Sequence, residues 1–83
     1  MDIINKNWVE QVDELADLYD EGHTGISSFT TDQLHWLIYY NWGVSGCYIP
    51  EAVVAAEAEL GRRNIPYNQE YAELIDEKAK EFY

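Results

Sequence analysis

The run Phe29-Thr30-Thr31-Asp32-Gln33-Leu34-His35-Trp36-Leu37-Ile38-Tyr39-Tyr40-Asn41-Trp42 decides the fold. Its left end carries a helix start signal in side-chain chemistry. Thr30 can take the N-cap, and Gln33 can return a bond to the cap's own amide, which makes a capping box. Phe29 before the cap and Leu34 at the fourth helical position add a hydrophobic staple. From Leu34 onward the apolar side chains point in all directions at about 100° per residue. Such a helix is either the central element of a bundle or one that keeps a face for a partner. Gly43 ends it.

Working outward, the pattern predicts a helix on one side of this run and two on the other. Over residues 8–21, Trp8, Val9, Val12, Leu15, Ala16 and Tyr19 form an apolar stripe, with Gly22 at the C-cap position. Residues 43–49 carry two glycines and read as a loop. Pro50 suits the first helical position and Glu51 the first turn, so a helix over 50–62 follows, with Val53, Ala56 and Leu60 inward. Gly61 caps it, or it continues through Arg63 to Asn64; Pro66 closes the segment. Asn68 caps a last helix over 69–82, whose apolar face is Tyr71, Leu74, Ile75, Ala79 and Phe82. The expectation is an all-α fold: one small four-helix domain over 1–83, with short connections except at Gly22–Phe29.

The charge is the second strong signal. Sixteen Asp and Glu face five Lys and Arg, a formal net charge of -11 in 83 residues. Residues 1–59 hold all but one unit of that excess. Direct binding to nucleic acid needs a positive surface, and so does an anionic membrane face, so neither is expected. A basic partner is. With 47% hydrophobic residues the chain is globular rather than an acidic disordered tail. The single cysteine, Cys47, cannot close an internal disulfide, which fits a reducing cytoplasm. The first residues show no basic-then-apolar signal pattern, and no apolar stretch is long enough to span a bilayer.

Chemistry-bearing motifs are lacking. His23, His35 and Cys47 stand twelve residues apart and form no close ligand pair, so no metal is expected. Cys47 reads as a small core residue and His35 as a satisfied helix residue, not as a nucleophile and its base. Ser27, Ser28 and Ser45 have no nucleophile context. There is no calcium loop and no phosphate loop. Neither an enzyme nor a cofactor is expected.

Two features point to protein binding. Glu10, Asp13, Glu14, Asp17, Asp20 and Glu21 fall within about 120° of arc on the first helix, opposite its apolar stripe. Glu10–Glu14, Asp13–Asp17 and Asp17–Glu21 are like-charge i,i+4 pairs, each costing a few tenths of a kcal/mol. Acids also crowd that helix's C-terminal end, against its dipole. Solubility alone calls for mixed signs. The carboxylates step along the helix by roughly 5–6 Å, comparable in density to a phosphate row at about 3.4 Å per strand. Glu51, Glu57 and Glu59 extend the patch if the third helix lies beside the first. The second feature is aromatic: Trp36, Tyr39, Tyr40, Trp42 and Tyr48 are candidate anchors of an interface.

The expected function is therefore a small acidic inhibitor that occupies the basic nucleic-acid-binding site of a partner protein. In size and charge, though in no motif, it is similar to nucleic-acid mimics of the anti-restriction or anti-CRISPR type. The alternative is an interaction adaptor or small regulatory subunit, as a homodimer through the second helix.

Overall fold

The structure is a computed structural model, and it describes residues 4–20, 26–40 and 50–82. Four α-helices make the fold, and no strand occurs among the described residues: α1 (Lys6–Asp20), α2 (Thr31–Tyr39), α3 (Pro50–Arg62) and α4 (Gln69–Ala79). Short 3-10 turns stand at Ile26–Ser28 before α2 and at Lys80–Phe82 after α4. This is the expected small all-helical architecture. The expected stops at Gly22 and Gly43, the loop 43–49, His23, Cys47 and Ser45 lie outside the described residues.

α2 is the centre. It packs against α3 and α4, while α1 lies against α3 and touches α2. Every residue from Asp32 to Ile38 is buried. The apolar side chains therefore point in all directions because neighbours surround the helix. That leaves no face over 32–38 for a second copy, whereas Tyr39 and Tyr40 at its end are half-buried.

The start of α2 is built as the sequence reads. Gln33 N–H donates to Thr30 Oγ1 at 3.1 Å, and Thr30 N–H donates to Gln33 Oε1 at 3.0 Å. Phe29 packs on the cluster that contains Leu34. The Gln33 amide also donates to Gln11 Oε1 at 3.2 Å, which ties α2 to α1.

Helix ends depart from expectation at α1 and α4, while α3 takes the expected bounds. α1 begins at Lys6 rather than Trp8, because Asn5 is its cap: Asn5 Oδ1 accepts from Trp8 N–H at 2.9 Å. α3 passes through Gly61 and ends in a Schellman turn on Asn64. Asn64 has φ 58°, its N–H donates to the Gly61 carbonyl at 3.1 Å, and Ile65 N–H donates to the Leu60 carbonyl at 3.0 Å. Asn tolerates the left-handed region better than most side chains, and Ile65 packs back on the core cluster. α4 ends at Ala79, and its last turn tightens to 3-10 geometry. Its start matches expectation, with Asn68 Oδ1 accepting from Tyr71 N–H at 3.0 Å.

The core gathers Trp8, Val9 and Val12 of α1, Leu34 and Trp36–Ile38 of α2, Ala52, Val53, Ala56 and Leu60 of α3, and Ile75 and Ala79 of α4. Trp36 is its largest fully buried side chain. Its ring stacks on Tyr40 at 4.6 Å and meets Trp8 at 5.5 Å, and its indole N–H donates to Asp76 Oδ1 at 3.2 Å. The buried Asp76 carboxylate thus has a donor from α2, with Lys80 3.9 Å away. Trp8, also buried, has no partner for its indole N–H among the described residues.

Candidate functional site

Of the acids on the first helix, Glu10, Asp13 and Glu14 are exposed on α1. Asp17 and Asp20 belong to the same helix, but their side chains, like Glu21, lie outside the described residues. The helix has no acid in its first turn and no base in its last, so its charges run against its own dipole. Its one cation, Lys6, stands 3.9 Å from Glu10 with both groups well exposed, a weak pair.

α3 does pack against α1, and Glu51 and Glu57 are exposed on it. Glu59 is different and corrects the sequence reading. It is buried, at 7% exposure, and its carboxylate is shared by two guanidinium groups. Arg62 donates to Glu59 Oε1 through Nε at 2.9 Å and through a terminal nitrogen at 2.5 Å. Arg63 Nε donates to Glu59 Oε2 at 2.9 Å. The bonds from Arg62 and then Arg63 hold the Glu59 carboxyl below its ordinary range, against the effect of burial. A carboxylate engaged in this way is an internal brace and cannot meet a partner's cations. Arg63 goes further, donating to the carbonyls of Phe29 at 2.7 Å and Ser27 at 3.2 Å, and to Thr31 Oγ1 at 3.4 Å.

The aromatic anchors divide as well. Trp36 has no exposed surface and belongs to the core, which removes it as an anchor. Tyr39 and Tyr40 are both half-buried, and Tyr40 packs on the core through Trp36. Trp42 and Tyr48 lie outside the described residues. A tyrosine that the sequence reading did not single out joins the accessible set. Tyr67 stacks on His35 at 5.6 Å. Burial raises its phenol pKa, and so do the charges of Tyr39, Glu73 and Glu57 nearby. Groups of three helices, Tyr39 of α2, Glu57 of α3 and Glu73 of α4, thus act electrostatically on Tyr67.

The structure adds a second acidic row. Glu70, Glu73 and Glu77 of α4 and Glu81 just beyond it are all exposed. Their 3, 4 and 4 spacing keeps them within roughly 80° of arc. Leu74, 60% exposed, lies beside the row. The i,i+4 test that found the α1 row applies here too, to Glu73–Glu77 and Glu77–Glu81. Regional net charge concealed the row, because Arg62, Arg63, Lys78 and Lys80 offset it in the tally, and the two arginines are spent on Glu59.

Next to Tyr67 an open cleft of about 240 Å³ lies between α2 and the chain leading into α4. Thr31, Asp32 and His35 line one side, and Ile65, Pro66, Asn68 and Tyr71 the other. No group of three or more His, Cys, Asp or Glu suited to a metal occurs among the described residues. No described helix is long and apolar enough to cross a membrane. The chain matches no protein-family model, no curated protein and no solved structure.

Proposed function

We propose that this protein is a small acidic inhibitor that binds the basic nucleic-acid site of a partner protein and blocks it by occupancy. The observation that carries the reading is the division of charges. Nine carboxylates are exposed among the described residues: Glu10, Asp13 and Glu14, Glu51 and Glu57, and Glu70, Glu73, Glu77 and Glu81. Meanwhile Lys6, Arg62, Arg63 and Lys80 each stand within 4.0 Å of a carboxylate of the same chain. Lys78 of α4 is exposed as well, so the outward field is predominantly negative rather than of one sign. Two helices carry it as rows with like-charge i,i+4 neighbours, a local cost that solubility does not require. Such a field speeds encounter with a basic groove and discriminates against acidic partners. The aromatic members of the surface are Tyr39 and Tyr67, with Tyr40 at the edge of the core.

The test uses immobilised protein and purified restriction and RNA-guided nucleases. Affinity should fall at least about tenfold between roughly 50 and 500 mM salt, and duplex DNA should compete. Binding that ignores salt, or a ternary complex with DNA, overturns the proposal. The adaptor reading draws on the exposed apolar side chains Val54 and Leu74. It is favoured instead if Leu74→Asp abolishes binding while Glu73→Gln with Glu77→Gln leaves it unchanged.

A further inference from the structure

The cleft beside α2 has a feature the acidic rows lack, a buried imidazole with an unused nitrogen. His35 is 3% exposed, and its ring is held between Tyr67, stacked at 5.6 Å, and Tyr71, edge-on at 5.4 Å. Its Nδ1 lies 2.9 Å from the Thr31 carbonyl oxygen. A carbonyl only accepts, so Nδ1 carries the proton of that bond. In the neutral ring the lone pair is then on Nε2. Nε2 has no hydrogen-bond partner among the described residues, and His35 lines the cleft. The acceptor is therefore pre-oriented with its tautomer fixed, at a place reachable from outside.

The other lining groups define what would satisfy it. The Asp32 carboxylate, 7% exposed, accepts from the Tyr71 hydroxyl. A carboxylate has about four acceptor positions and can serve several donors at once. Ile65 and Pro66 supply an apolar wall, and Tyr71 an aromatic one. Arg63 reaches the rim at Thr31, but its guanidinium is engaged by Glu59 and by the Phe29 carbonyl. The cleft thus offers a carboxylate, an imidazole lone pair, aromatic rings and an apolar wall. That set calls for a flat cation with several N–H donors on an aliphatic stem. A guanidinium meets it: its donors form a rigid fork, it stacks on aromatic rings, and it sheds water more readily than an ammonium.

We propose that the cleft is a receptor for one arginine side chain, held at Asp32 and His35 Nε2 with its stem on Ile65 and Pro66. This rests on the partner-binding reading for where the arginine comes from, and on the cleft alone for the recognition. The two fail separately. If the cleft ignores arginine while a basic partner binds with strong salt dependence, the inhibitor reading stands and this assignment falls.

The probe is N-acetyl-arginine amide, with N-acetyl-citrulline amide as its neutral isostere and N-acetyl-lysine amide as the ammonium control. It is titrated into the 83-residue chain labelled with 15N. The readout is the side-chain 15N signals of His35 and the backbone amides of Asp32, Asn68 and Tyr71. The expected result is saturable shifts with the arginine amide and at least about tenfold weaker binding of the other two. Asp32→Asn should weaken binding at least about tenfold. Tyr71→Phe keeps the ring and removes a competing donor, so binding should stay within about twofold or tighten. If Asp32→Asn does not fold, Pro66→Lys at an exposed wall position replaces it, and its ammonium should weaken binding at least about fivefold. No shift at roughly 50 mM arginine amide, equal binding of citrulline or lysine amide, or saturation by inorganic phosphate instead would each overturn the assignment.

Discussion

Trp8 and Trp36 form a matched pair in one core, and they predict opposite responses to one substitution. Both are buried, and their rings meet at 5.5 Å. The indole N–H of Trp36 donates to the Asp76 carboxylate at 3.2 Å, whereas that of Trp8 has no partner among the described residues. Replacing either by Phe removes a similar ring fragment, a packing loss of about 1 kcal/mol. At Trp36 the change also removes a hydrogen bond to a charged group, about 1.5–3 kcal/mol, for a total of about 2.5–4 kcal/mol. At Trp8 it deletes a buried donor that has lost its water, which returns about 1–3 kcal/mol and leaves the net effect between neutral and about 2 kcal/mol stabilising. The two variants should therefore differ by about 2.5–6 kcal/mol, with about 3 kcal/mol a conservative figure. For a chain whose whole stability is about 4–12 kcal/mol, that difference decides whether the fold survives at 37 °C. It corresponds to a gap in Tm of about 12–24 °C. The assay is urea and thermal unfolding followed by far-ultraviolet circular dichroism, since fluorescence changes with the mutation itself. Trp36→Phe and Trp8→Phe variants that agree within about 0.5 kcal/mol would refute the reasoning. They would show that the indole N–H of Trp36 contributes nothing net.

Other outcomes follow from helix ends and charges. Gly61 lies inside α3, and a Cβ there would meet nothing within 4 Å, so Gly61→Ala should stabilise by about 0.5–1 kcal/mol in a denaturant melt. Asn64→Val puts a β-branched side chain at φ 58° and should cost about 1–2 kcal/mol in the same assay. Thr30→Ala removes one half of the capping box and should destabilise by about 1 kcal/mol, with early loss of amide protection at Gln33. The Glu59 carboxyl titrates below its ordinary value of 4.5 in the folded chain, because Arg62 and then Arg63 bond its ionised form. Its contribution is therefore present above the unfolded value and lost as pH falls through the folded one. Glu59→Gln should flatten the acid limb of the stability–pH curve below about pH 5, and an unchanged limb would contradict this.

Much of this fold can be read from short-range chemistry. The Thr30–Gln33 box, the Asn68 cap and Pro50 at the start of α3 are local statements, satisfied within a few residues, and the structure repeats them. The terminus missed at Asn5 is equally local: an Asn three residues before Trp8 is a cap signal that the apolar stripe overshadowed. The C-terminus of α3 was harder to see, since Gly61 and Asn64 both suit a left-handed residue. The packing of Ile65 onto the core accompanies the choice of Asn64. The candidate site was less legible because exposure is a tertiary property. Trp36 and Tyr39 look alike in sequence, yet one is enclosed by α1 and α4 while the other stays half-open. Glu59 and Glu57 differ by two positions, and that rotation alone turns Glu59 into the core beside Arg63. The α4 row was legible in spacing and was hidden only by counting charge by region.

Arg63 binds the carbonyl oxygens of Ser27 and Phe29 from the end of α3, more than thirty residues away in sequence. The entry to the central helix is thus fastened by the exit of a later one. A nascent chain that has not yet made α3 lacks the guanidinium that holds residues 27–31. Local opening at either place should therefore be one event: hydrogen exchange at Gln33 and Leu34 should share its rate with the last turn of α3. A protease cut near Ser27 would loosen Arg63, and Arg63→Lys would expose that same bond to cutting.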